Sequence, residues 1–215
     1  MKKRRLLKTT TGWALTALMI AALGGCATKK VPPIRYYSIE THTPNLEALV
    51  FPTPRFDTLE IVMVHPTRLS ESSGIYYLDA DHRRQPYAFS RWYETPATML
   101  ENKLLYAFKK AHVARTVVGK VSGVRAHYRL EIAILEAIQD FTDGKPSKVR
   151  LSCMATLLDH RSRESLAARL FETSVPAGSE DAKGGVEAFN RAADAIVTDI
   201  LRWIGTVDTG PAAQR

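Results

Sequence analysis

Few residues in this 215-residue chain could do chemistry, and they are widely spaced. Cys153 and His160 together would suggest a thiol nucleophile activated by an imidazole. Cys153, however, shares the apolar side of a period-two run with Leu151, Ala155 and Leu157, where a thiol is buried and inert. Asp79, Asp81 and His82 share a polar stretch that could touch a cation, although an acidic hairpin tip is ordinarily a solvated turn. Gly119-Lys-Val-Ser-Gly123 is the nearest approach to a phosphate-cradling loop. It lacks the spacing and does not end on Lys-Ser or Lys-Thr. There is no Gly-x-Ser-x-Gly elbow, and the six histidines form no paired metal motif. The expectation is a protein that is not an enzyme and holds no metal or dissociable cofactor.

Cys26 is different. Lys2, Lys3, Arg4, Arg5 and Lys8 open the chain, no acid precedes Cys26, and an apolar segment runs from Thr11 to Leu23. A basic start, a short apolar run and small residues before a cut make a secretory signal. The apolar run is roughly half the ~20 residues that a spanning helix needs. Leu23-Gly24-Gly25-Cys26 resembles a bacterial lipobox, in which small residues admit the peptidase and the thiol takes a thioether-linked diacylglycerol. Cys26 is thus the expected lipid-attachment residue, carrying diacylglycerol and an N-acyl chain, and two or three acyl chains anchor where one would not. Ala27 and Thr28 follow it. With no Asp there to retain the protein at the inner membrane, the expected location is the periplasmic side of the outer membrane, with the inner membrane as the alternative.

Removing residues 1–25 lowers the formal charge from +8 to +3, because five cations and no acid leave. The overall basicity therefore gives no support to nucleic-acid binding. The remaining length suits one domain. Cys153 is left without a partner, so stability must come from packing rather than a disulfide.

The elements follow from pattern. Six of eleven prolines fall between Pro32 and Pro66, which reads as a tether over residues 26–56, with Ile34-Arg-Tyr-Tyr-Ser-Ile39 as a short β-like run at a sheet edge. A single domain is expected over 57–205, and a tail over 206–215. Leu59 to His65 is apolar on both sides and suits an interior strand. Gly74–Leu78 and Gln85–Phe89 flank a polar turn and read as a hairpin. Thr95 caps a helix with Pro96 at its first position, and Leu100, Leu104 and Phe108 recur at helical spacing. After a link around Thr116 to Val118, period-two runs at Tyr128–Ile134 and Val149–Leu157, then Leu166–Thr173, predict three strands. Gly178, Gly184 and Gly185 precede a helix with Val186, Phe189, Ala193, Ile196, Ile200 and Ile204 on one stripe. The fold class predicted is α/β (α+β), a mostly antiparallel curved sheet with two helices on one face.

The order of motifs is similar to that of the ABC-type transport auxiliary lipoproteins, a family that includes the lipoprotein subunit of the paraquat-inducible Pqi system. The lipobox is followed by Tyr36-Tyr37-Ser38-Ile39, Leu59-Glu-Ile-Val-Met-Val-His-Pro66, Phe89-Ser-Arg-Trp-Tyr-Glu94, Leu157-Leu-Asp159, Arg169-Leu-Phe171 and a last helix up to Trp203. The chain departs from the pattern at Tyr76-Tyr77-Leu78-Asp79, where members often carry Tyr-Arg. The resemblance implies a non-catalytic periplasmic component serving an ABC transporter with mammalian-cell-entry (MCE) proteins, moving lipids or other hydrophobic molecules between membranes. An oligomer is left open. The alternative is an envelope-assembly lipoprotein of an outer-membrane or lipopolysaccharide machine. The rings of the hairpin either pack beneath the first helix or form a docking edge. If they dock, Tyr76, Tyr77, Tyr87 and Trp92 are the expected partner-binding residues.

Overall fold

Strand β6 (Tyr128–Asp140) is the axis of the structure, a computed structural model that describes residues 31–64 and 71–208. One side of β6 pairs along its whole length, antiparallel, with β7 (Lys148–Asp159), and β7 pairs in the same way with β8 (Ser165–Pro176). Its other side is divided. The first half pairs parallel with β2 (Phe56–Val64), and the last two residues pair parallel with β3 (Gly74–Leu78). The register of the β6–β7 pair shifts between Ile134 and Glu136, near this division. β5 (Ala114–Gly119) runs parallel to β2 at one margin. At the other, β3 forms a hairpin with β4 (Arg84–Trp92), and β1 (Arg35–Tyr37) lies parallel to the end of β4. The eight-stranded sheet is mixed, most of its paired length is antiparallel, and the class is α+β as the sequence predicts.

Two helices form a single core with the sheet. α1 (Pro96–Lys110) starts as its sequence predicts, with the Thr95 hydroxyl accepting from the Thr98 amide at 3.2 Å. α2 (Ala182–Thr206) is capped by Asp181, which accepts from the Gly184 amide at 2.9 Å. The Arg55 guanidinium donates to the carbonyls of Gly205 and Val207 at the far end, where helix carbonyls lack intrahelical partners. Leu100, Leu104 and Phe108 of α1 and Ile196, Ile200 and Ile204 of α2 are buried against Leu59, Ile61, Leu130, Ile132, Leu151 and Leu157. Each such side chain stabilises the fold by about 1.5–3 kcal/mol.

Gly184 and Gly185 do not precede the second helix; they form its first turn. A Cβ on Gly185 would lie 2.1 Å from Gln139 Oε1, and one on Gly184 2.3 Å from the Ser179 carbonyl oxygen. These glycines allow the helix to start against the sheet.

Three expectations change. The folded unit begins at Ile34, so most of the stretch read as tether belongs to the domain. Ile39 and Leu46 enter the core. The buried Lys103 ammonium donates to the carbonyls of Glu40 at 2.8 Å and His42 at 2.7 Å, and pairs with Asp194 at 2.7 Å. Proline density disfavours helix but does not prevent docking, because extended chain packs well when its carbonyls find donors. The link around Thr116 to Val118 is strand β5, short and β-branched. Of the hairpin strands β3 is interior, flanked by β4 and β6, whereas β4 is covered by β1 over Ser90–Trp92 only. Helix α2 runs to Thr206 and Val207 is buried, so the folded part reaches past residue 205. His65 lies outside the described residues.

Candidate functional site

Cys26 lies outside the described residues. The hairpin aromatics do not act as one group. Trp92 is 3% exposed, with its ring edge-on to Phe189 at 5.4 Å, which places it in the core beneath α2. Tyr87 is partly buried; its hydroxyl donates to Gln139 Oε1 at 2.9 Å and its ring lies 4.9 Å from that of Tyr77. Burial, with Asp181 adding its charge, pushes the Tyr87 phenol well above its usual range. Tyr77 is completed by an edge contact with Phe141 at 5.9 Å. The Tyr76 hydroxyl is 3.3 Å from Ser72 Oγ. Tyr76 and Tyr77 are half-buried, so this group is largely a packed wedge between hairpin and sheet.

The exposed rings are neighbours of these residues. Tyr36 is 64% exposed, Phe89 41% and Tyr93 72%. Tyr36 is opposite Arg91 in the β1–β4 register, and the Tyr93 amide donates to the Tyr37 carbonyl at 2.7 Å. Arg91 alternates with the core-facing Trp92, so it and its register partner Tyr36 share the side of the ribbon turned away from the helices, with Phe89 on the same strand and Tyr93 just past its end as the exposed rings nearby. Ile34, just before β1, is also exposed. Arg91 donates to the carbonyls of Ser90 at 2.8 Å and of Tyr87, so its head lies along the strand instead of covering the rings. β1 covers β4 over three residues only, which leaves the outer edge of Arg84–Phe89 without a strand partner among the described residues. An aromatic strip beside an open strand edge can receive another chain by strand addition and ring packing. Pairing register decides this exposure, and sequence alone does not carry that register.

Other candidates resolve as structure. Cys153 is fully buried, and desolvation pushes its thiol up to about 12. The Asp79 carboxylate accepts from the amides of Asp81 and Arg83, from Arg83 Nε and from Gln85 Nε2. The Arg83 amide bond is the largest influence holding its pKa below the usual carboxylate range. This is a hairpin tip closed on itself. Among the described residues, no cluster of three or more His, Cys, Asp or Glu side chains could hold a metal ion. No helix among them is long and apolar enough to cross a membrane.

Fold and surface together define an α+β domain that presents an aromatic strip at one margin of a mixed sheet. The model of the ABC-type transport auxiliary lipoprotein component family matches residues 50–201, and the chain belongs to that family. No curated protein matches it in sequence. Among solved structures it is similar to a Xanthomonas campestris protein of the DUF330 family, at 20% identity and a TM-score of 0.66, covering 79% of this chain and 94% of that one. It is also similar to a structure described as an uncharacterized protein, at 16% identity and a TM-score of 0.60, covering 80% and 99%. At these identities the likeness concerns the fold. Membership makes the protein a lipoprotein component associated with ABC-type transport and with the cell envelope.

Proposed function

We propose that this protein is the lipid-anchored, non-catalytic auxiliary subunit of an ABC transport system that works with an MCE-type protein to move lipids or other hydrophobic molecules between membranes. Cys26 carries the diacylglycerol and N-acyl chain, and the domain lies on the periplasmic side of the outer membrane. The observation that carries this reading is the strip of Tyr36, Phe89 and Tyr93 beside the open edge of β4, in a domain of this family. Large apolar rings left in water beside unpaired backbone mark a place for a partner.

Cross-linking and co-purification from intact cells test it. Wild type is expected to recover an MCE or ABC component, and Phe89→Asp with Tyr93→Asp to lose it while remaining folded. Tyr76→Ala and Tyr87→Ala are expected to perturb packing more than partner recovery. Recovery of outer-membrane or lipopolysaccharide assembly proteins instead would overturn the reading in favour of an assembly role. For the anchor, Cys26→Ser is expected to remain an unlipidated precursor. Mature wild type found only in inner-membrane fractions would contradict the outer-membrane location.

A further inference from the structure

The segment Gly119–Gly123, which fails as a nucleotide loop by its spacing, borders a cavity of about 570 Å³ between the β5–β6 connection and the β7–β8 turn. Lys120, Arg125, His127, Arg129, His160 and Arg161 line it, and Glu60 is the single carboxylate of the lining. Elements far apart in sequence supply them: a 3-10 turn at Lys120–Ser122, the start of β6, and the polar turn after β7. Gly123, with φ of +69°, ends the 3-10 turn in the left-handed region.

The cations are only partly neutralised. Arg129 pairs with Glu60 at 2.7 Å, a contact that also satisfies the buried carboxylate. Arg161 Nη2 lies 2.8 Å from His127 Nε2. A guanidinium only donates, so His127 accepts at Nε2 and carries its ring proton on Nδ1. Both residues of that bond line the cavity. Glu60, with Glu131 at 3.8 Å, answers Arg129, while Lys120, Arg125 and Arg161 keep the concavity positive, and guanidinium forks match the geometry of phosphate oxygens. The loop between Lys120 and Arg125 adds a second feature. Val121 is 100% exposed and Val124 about half exposed. Aliphatic side chains in water beside a basic pocket reproduce the layout of a membrane interface, where cations meet headgroups and apolar groups enter the acyl boundary.

We propose that this pocket binds the phosphate of an anionic lipid headgroup, with Val121 and Val124 against the acyl boundary. The charges select a phosphate, while the choice of a lipid as its source rests on the valines and on the transport reading above. The test uses the full chain in uncharged maltoside micelles, titrated calorimetrically at low salt with short-chain phosphatidylglycerol, short-chain phosphatidylcholine and inorganic phosphate. Phosphatidylglycerol is expected to bind, and both other ligands to bind about tenfold or more weakly. Arg125→Gln with Arg161→Gln is expected to reduce phosphatidylglycerol affinity by about tenfold or more at an unchanged melting temperature. Val121→Asp is expected to weaken the lipid but not inorganic phosphate. Equal binding of the two lipids, no binding, or full affinity in the double arginine variant would each overturn the proposal. Inorganic phosphate binding as tightly as phosphatidylglycerol would reassign the pocket to a soluble anion. If the pocket fails while wild type still recovers MCE or ABC components, the transport reading stands without it. If lipid binds but no component is recovered, the pocket stands and the partner assignment falls.

Discussion

A lysine with no exposed surface survives in a core only if every proton of its ammonium is spoken for. Lys103 donates to two backbone carbonyls and sets its charge against Asp194 at 2.7 Å. Lys103→Met keeps the aliphatic stem and strands the acceptors, so the urea midpoint is expected to fall by the equivalent of about 2–3 kcal/mol. Amide exchange at Glu40–Thr43 should accelerate in the same variant. An unchanged midpoint with unchanged exchange would show that the clamp holds nothing. Cys153 is the opposite case, a buried group whose value lies in its volume. A thiol reagent should modify it slowly until denaturant is added, and Cys153→Ala should cost ~1 kcal/mol and leave partner recovery intact. The face of Cys153 was legible because strand alternation is local. The role of Lys103 was not, because its acceptors are main-chain atoms some sixty residues away.

At the scale of elements, the start of α1 was the most legible feature and strand partners the least. Thr95-Pro96 announces α1 on its own, whereas no local signal tells β2 that its neighbours are β5 and β6. Which hairpin rings pack and which face water was left open for that reason. β4 carries the aromatic pattern expected, but β1 and β3 decide which rings remain in water. Asp181 offers a test of an element through pH. The Gly184 amide, aided by Ser179, holds its pKa below the usual carboxylate range. A depressed folded-state pKa contributes stability above the unfolded value of about 3.9, and that contribution disappears as pH falls through the folded value. Asp181→Asn keeps a capping oxygen but does not titrate. Wild type should therefore lose stability relative to Asp181→Asn on acidification below about pH 4, as read by urea melts at pH 7, 4 and 3. Asp181→Ala should cost about 1 kcal/mol at pH 7. Parallel pH profiles for wild type and the Asn variant would remove the carboxylate from the account.

For the whole molecule, the decisive boundary is the start of the fold. Composition placed it near residue 57 because proline dominates what precedes it, yet Ile39, Leu46 and the Lys103 clamp tie residues 34–56 into the core. A chain beginning at Val31 should unfold cooperatively at the midpoint of the longer protein. One beginning at Asp57 loses β1, the core residues Ile39, Leu46 and Phe56 and the acceptors of Lys103, and should be destabilised by several kcal/mol or fail to fold, about 2–5 kcal/mol for each large core side chain removed. Circular dichroism melts of the two chains distinguish these outcomes; equal midpoints would restore the tether reading. The chain enters this fold through β1, which is three residues long and parallel to β4, and reaches the carbonyls held by Lys103 only afterwards. Tension arriving from the amino-terminal side therefore loads the short ladder first, then the bonds of Asn190 on α2 to the Ser38 carbonyl and the Glu40 amide together with the lysine grip, and only then the β6–β8 meander. β1 works as a mechanical fuse: a tug strong enough to part it lengthens the lead by a few residues and leaves the rest of the domain folded.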